Sequence, residues 1–122
     1  MNFTYDYPLL HSVTLGTAQA AVSVPGKTSK HQSVKIIDAF ALVGATPAAV
    51  TISIGDGTDA DRFGTITIAA GGTANDSADV TLNLTDAAYE LNRINDLERL
   101  VFTNTTAPGA SVAGFEVVIG YY

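Results

Sequence analysis

Alternation of apolar and hydroxyl-bearing residues is the feature that most constrains how this chain can fold. Val50-Thr51-Ile52-Ser53-Ile54, Thr65-Ile66-Thr67-Ile68 and Val80-Thr81-Leu82-Asn83-Leu84 each repeat every second residue. Consecutive strand side chains point to opposite faces, so this period sends one face to a core and the other to water. Less regular strand candidates are Val13 to Leu15, Ala20 to Val24, Val34 to Val43, Leu97 to Thr103 and Val112 to Tyr121. Together they make about eight strands. Between them stand Pro25-Gly26, Gly44 to Pro47, Gly55 to Asp61, Gly71-Gly72 and Pro108-Gly109, which supply the positive or fixed φ that reverses a chain. Turn signals this frequent leave no room for the helices of repeated βαβ units, and an antiparallel sandwich or barrel follows. One helix candidate remains, Thr85 to Asn95, with Thr85 as a cap, Asp86 in the first turn and Ala88, Leu91 and Ile94 on a shared face.

The length of 122 residues suits one domain with one core. Cysteine is absent, so packing alone must hold that core. Only 15% of residues are charged, against about 25% in an average soluble domain. Threonine and alanine, 15 and 18 residues, must therefore cover much of the surface. Such a surface is solvated but weakly charged, and it suits contact with neighbours. A net charge of −6 gives no field that would hold a nucleic acid backbone. No stretch approaches the roughly 20 apolar residues of a spanning helix, and Met1 to Leu10 lacks the basic start and apolar run of a signal peptide. The expectation is a product made in the cytoplasm, with neither nucleic acid nor membrane as partner.

Two segments point outward. In Val34 to Val43 the alternation slips: Ile36, Phe40 and Leu42 share a parity with Asp38, while Ile37, Ala39, Ala41 and Val43 hold the other. Either both faces of this strand are buried, or a bulge re-aims the pleat near Asp38. An apolar outer face on a long strand suggests an interface. In the second segment, Met1 to Leu10, Phe3, Tyr5 and Tyr7 share a parity and would line one edge of an extended arm. That segment is either an arm gripping a neighbour or a first strand within its own core. Residues 1–10 are taken as the arm and 11–122 as the sandwich domain. Lys27, Lys30 and Lys35, with His31 among them, could form a basic face on the acidic body or a merely solvated loop.

Nothing in the chain assembles a recognisable reaction centre. Asp56, Asp59 and Asp61 place three carboxylates on one glycine-containing loop, which is either a solvated turn or a calcium loop. Gly57 comes too early for an EF-hand, and no acid occupies the closing position. His11 and His31 lack the spaced ligands that zinc needs. No serine lies in a G-x-S-x-G elbow. A glycosidase would need paired acids beside stacking aromatics, and the chain has no Trp. The glycine pairs lack the following Lys-Ser/Thr of a phosphate loop. The chain is therefore expected to be no enzyme and to carry no metal, cofactor or small-molecule substrate.

The segments GDGTDADRFGTITIAA (Gly55 to Ala70), SADVTLNL (Ser77 to Leu84) and VAGFEVVIGYY (Val112 to Tyr122) resemble small β-sandwich proteins of tailed bacteriophages. Head decoration, or cement, proteins are the group they look most like. The resemblance implies a structural virion protein, a homotrimer on the capsid exterior that binds the major capsid protein and stabilises the head. No functional residue carries over by motif. The candidate partner-binding residues come from the residue pattern alone: Phe3, Tyr5, Tyr7, Lys27, Lys30 and Lys35. About eight strands match the two Greek keys of a jelly roll, and an immunoglobulin-like sandwich is the runner-up. The alternative function is a receptor- or carbohydrate-binding module of a phage tail or fibre.

Overall fold

The computed structural model describes residues 9–15, 21–85, 94–104 and 109–122. Among the described residues there are nine strands: β1 (Leu9–Thr14), β2 (Ala21–Pro25), β3 (Ser33–Val43), β4 (Val50–Gly55), β5 (Gly64–Ile68), β6 (Val80–Leu84), β7 (Ile94–Asn95), β8 (Arg99–Asn104) and β9 (Val112–Tyr121). They form a four-stranded sheet in the order β1-β9-β3-β7 and a five-stranded sheet in the order β2-β8-β4-β5-β6. Every pairing is antiparallel. The fold is an all-β sandwich, as the alternation requires.

The pairing is nested: β1 lies beside β9, β2 beside β8, β3 beside β7 and β4 beside β5, with successive nests falling on alternate sheets. A long hairpin rolled up on itself pairs in this way, which agrees with the jelly-roll expectation. In an immunoglobulin-like sandwich the first two strands share a sheet, whereas β1 and β2 lie in different sheets here.

The period-two segments behave as their chemistry dictates. Val50, Ile52 and Ile54 of β4, with Ile66 and Ile68 of β5, are buried, while Thr51 is exposed and Ser53, Thr65 and Thr67 are half-buried. From the facing sheet come Val13 of β1, Val34, Ile36, Ala39 and Ala41 of β3, and Phe115, Val117, Ile119 and Tyr121 of β9. Phe63, at the end of the β4–β5 connection, and Phe102 of β8 are the largest fully buried side chains. Each buried side chain of this size stabilises by roughly 1.5–3 kcal/mol relative to exposure. In a chain without cysteine, these contacts carry the fold. Tyr121 also ties the sheets together, its hydroxyl donating to the Pro25 carbonyl at 2.7 Å. Burial of that ring pushes its pKa above the ordinary value of 10.0.

Two expectations are corrected. The segment 1–10 does not behave as a unit, because Leu9 and Leu10 already pair with Tyr121 and Gly120 in β1. Residues 1–8, with Phe3, Tyr5 and Tyr7, lie outside the described residues. The expected helix over Thr85 to Asn95 ends in a strand instead: Ile94 and Asn95 pair with Val34 and Ser33. The Ser33 hydroxyl donates to the Asn95 side-chain oxygen at 2.5 Å, and burial of Ile94 gives the short strand its place on the core. Residues 86–93 lie outside the described residues.

The open choice at β3 resolves as a bulge. Its register against β9 slips between Ile36 and Asp38. Before the slip Val34 and Ile36 face inward; after it Ala39, Ala41 and Val43 do. The extra residue, Ile37, moves to the outside along with Phe40 and Leu42. The free edge of β3 is covered twice, by β7 at its start and by residues 75–78 at its end. There Ala78 N–H donates to Ala41 O, Asn75 N–H to Val43 O and Val43 N–H to Asp76 O. Asn75 adopts φ 70° to make that turn, a conformation that asparagine tolerates better than most residues.

Candidate interaction surface

The acidic loop spends its most shielded carboxylate on itself. Asp56 Oδ1 accepts the Thr58 and Asp59 backbone N–H groups, each at 2.8 Å. Its Oδ2 takes the Arg62 guanidinium at 2.9 Å. The Asp59 N–H bond is the foremost cause holding the Asp56 carboxyl far below the ordinary carboxylate range, followed by Arg62 and the Thr58 N–H. Arg62 in turn lies 5.4 Å from the Phe63 ring centroid, linking the loop to the residue that plugs the end of the core. Asp59 and Asp61 are exposed. Among the described residues no three His, Asp or Glu side chains converge.

This loop chemistry sets a pH-dependent expectation. With the folded pKa below the unfolded one, the stabilisation from Asp56 is fully present above the ordinary value of 3.8 and disappears as pH falls through the depressed value. Asp56→Ala should lower the melting temperature at pH 7 by more than Asp59→Ala or Asp61→Ala does. The gap between Asp56→Ala and wild type should narrow below pH ~4. Melts in calcium and in chelator should superimpose for the wild type, since a bound ion would raise the midpoint by mass action. A midpoint that rises with calcium would assign these carboxylates to a metal instead.

The three lysines are not brought together as one free patch. Lys27 pairs with Glu98 at 3.1 Å, a surface contact of small energetic weight. Lys30 is exposed on the β2–β3 loop, which is folded by Thr28 Oγ1 accepting the His31 backbone N–H at 2.9 Å and the Lys30 N–H at 3.3 Å. Lys35 lies in β3, opposite Gly120 of β9. It belongs to a different surface.

That surface is the outer face of the four-stranded sheet. Inward residues of β9 are Phe115, Val117, Ile119 and Tyr121, so Gly114, Glu116, Val118 and Gly120 point outward. Register places Leu10 and Lys35 beside Gly120, Ser12 and Asp38 beside Val118, Thr14 and Phe40 beside Glu116, and Leu42 beside Gly114. Leu10 is 59% exposed, Phe40 47%, Leu42 43% and Ile37 40%; with Leu9 at 52% these are the exposed large hydrophobic residues among those described. All five belong to β1 or β3. Scattered apolar residues are normal on a surface, but their concentration on one sheet sets that sheet apart.

The two outward glycines shape the face into a knob region and a groove. A Cβ on Gly120 would stand 2.9 Å from Ile37 Cδ1, 3.1 Å from Tyr122 Cε2 and 3.5 Å from Leu10 Cδ2, so these three side chains close over it. Above Gly114, by contrast, the space is open. There Thr14, Phe40, Leu42, Ser77 and Glu116 wall a groove of about 260 Å³. The glycines stand six positions apart, about 20 Å along β9.

Sequence reasoning anticipated an apolar outer face on β3 but missed the contribution of β1. Leu10 falls in the expected arm because the aromatics Phe3, Tyr5 and Tyr7 set the character of Met1 to Leu10. The readable signal was Gly114 and Gly120, which share the parity of Glu116 and Val118 and so remove side chains from one face only. The chain matches no family model, and neither characterised proteins nor solved structures offer a match.

Proposed function

We propose that this protein is a structural virion component, a head decoration protein of a tailed bacteriophage that works as a homotrimer on the capsid exterior. The observation that carries the reading is the outer face of the four-stranded sheet, which concentrates apolar side chains on an otherwise weakly charged domain. A sandwich with this face has a role in assembly, where contact area matters and no reacting group is needed. The sequence resemblance to small phage sandwich proteins supports the choice of partner, the major capsid protein. An acidic body is not drawn to its partner by net charge, so aromatic contacts from Phe3, Tyr5 and Tyr7 supply the anchor.

The test is co-sedimentation with empty heads of the phage that encodes the chain. The full chain should decorate heads to saturation and raise their melting temperature. Deleting Met1 to Tyr7 should leave the β-sheet circular dichroism intact, because β1 starts at Leu9, and should abolish co-sedimentation. Full occupancy by the truncated protein would remove the arm from the anchor. Loss of folding would make the segment part of the core. Recovery of the chain with tails rather than heads would favour the receptor- or carbohydrate-binding alternative.

A further inference from the structure

We infer that the outer face of the four-stranded sheet is the contact between copies of this chain, with the Leu10–Ile37 knob of one copy seated in the Phe40–Leu42 groove of the next. The inference rests on reading this face as an assembly surface, and adds which part of one copy meets which part of another. Its first support is shape. Ile37, Leu10 and Tyr122 fill the space over Gly120 while Leu10 and Ile37 remain exposed, whereas Gly114 leaves the groove open, so one face carries both a filled apolar end and a recess.

The second support is charge. Lys35 stands at the knob end of the face, opposite Gly120, and Glu116 stands in the groove wall, opposite Phe40. Among the described residues Lys35 has no ion-pair partner, and Glu116 accepts only a long hydrogen bond from the Thr14 hydroxyl at 3.3 Å. Seating a knob in a groove brings Lys35 of one copy toward Glu116 of the next. Stacking knob on knob would instead oppose two lysines, and groove on groove two glutamates. Asp38, exposed midway along the face beside Val118, keeps its central place in either arrangement, so exchanging the ends is what pairs Lys35 with Glu116, and a closed ring or a two-fold pair satisfies it.

A third feature concerns salt. Two copies each carrying a net charge of −6 repel at long range, and salt screens that repulsion while leaving apolar contacts intact. Self-association should therefore hold or strengthen as salt rises. A basic partner on this face would show the reverse.

The absence of cysteine makes the test direct. Leu10→Cys and Leu42→Cys are made separately, and the two proteins are oxidised alone and as an equal mixture. The mixture should form a disulfide-linked heterodimer several-fold faster than either protein links to itself. Faster self-linking of either variant would overturn the arrangement. In parallel, light scattering should give the wild type a mass that is a multiple of 12.6 kDa. Phe40→Asp should return it to the single-chain mass with unchanged circular dichroism. If Phe40→Asp misfolds, Leu42→Glu, at the exposed rim of the same groove, reads the same loss. A wild type that stays at the single-chain mass from low to high salt overturns the inference. Retained co-sedimentation with heads in that case would leave the decoration reading standing, so the two failures are separable.

Discussion

Phe102→Ala should lower the melting temperature by roughly 10–20 °C, the largest loss expected from any single truncation in this fold. The ring is 1% exposed and sits mid-strand in β8, between Val22 of β2 and Ile54 of β4. Removing such a ring costs about 3–5 kcal/mol, against a total of about 5–15 kcal/mol for a domain of this size. The chain has no disulfide to limit the unfolded ensemble, so the loss falls directly on the folding equilibrium. Thermal or denaturant unfolding followed by circular dichroism measures it. Thr81→Ala, an exposed position on β6, is the control and should change stability by no more than about 0.5 kcal/mol. A Phe102→Ala midpoint within two or three degrees of wild type, on the order of the control's effect, would show that β8 does not carry the core.

Gly64→Ala should be nearly as severe, for a different reason. Gly64 has φ +130°, and a Cβ there would overlap the Asn83 carbonyl oxygen. Backbone strain of this kind costs of order 1–3 kcal/mol before any overlap is counted. The overlap cannot relax easily. Asn83 is held in β6 by its pairing with Thr65, and Gly64 is itself paired with Leu84 and Ile54. Gly71 is the matched comparison: its φ of +96° carries a similar conformational penalty, but a Cβ would meet nothing within 4 Å. The difference in stability between Gly64→Ala and Gly71→Ala isolates the steric part. Equal losses in the two variants would show that the β5–β6 hairpin yields to make room.

What could be read from residues alone was what local periodicity encodes. β4, β5 and β6 were legible because each alternates apolar and hydroxyl side chains, and the pleat converts that pattern into one buried face. β7 was not legible. Its two residues are a strand only because Ser33 and Val34, about 60 positions earlier, offer an edge, while locally they complete the apolar spacing of a helix. The bulge in β3 left its trace as a parity slip, yet which residue would be extruded depends on the register against β9. The apolar outer face was legible in part. Phe40 and Leu42 stood out on β3, but Leu10 becomes part of the same surface only when β9 lies between them and Gly120 leaves the gap it fills. The acidic loop was legible as a turn, whereas the capture of the Asp56 carboxylate by Arg62 depends on how the loop folds back.

The nested pairing has a consequence for how the protein is made. In the four-stranded sheet β9 lies between β1 and β3, so neither strand has its main partner until residues 112–121 have left the ribosome. Until then Val13, Val34 and Ile36, all buried in the finished domain, belong to a sheet that lacks its central strand. Vectorial synthesis can thus pair β4, β5 and β6 early, but the four-stranded sheet, and with it the closed sandwich, waits for β9. Pairings so distant along the chain place it among proteins that fold in milliseconds to seconds rather than microseconds. During that interval its unpaired strands are open to chaperones and to one another, and a pause in translation before Val112 is the point at which the nascent chain is most prone to aggregate.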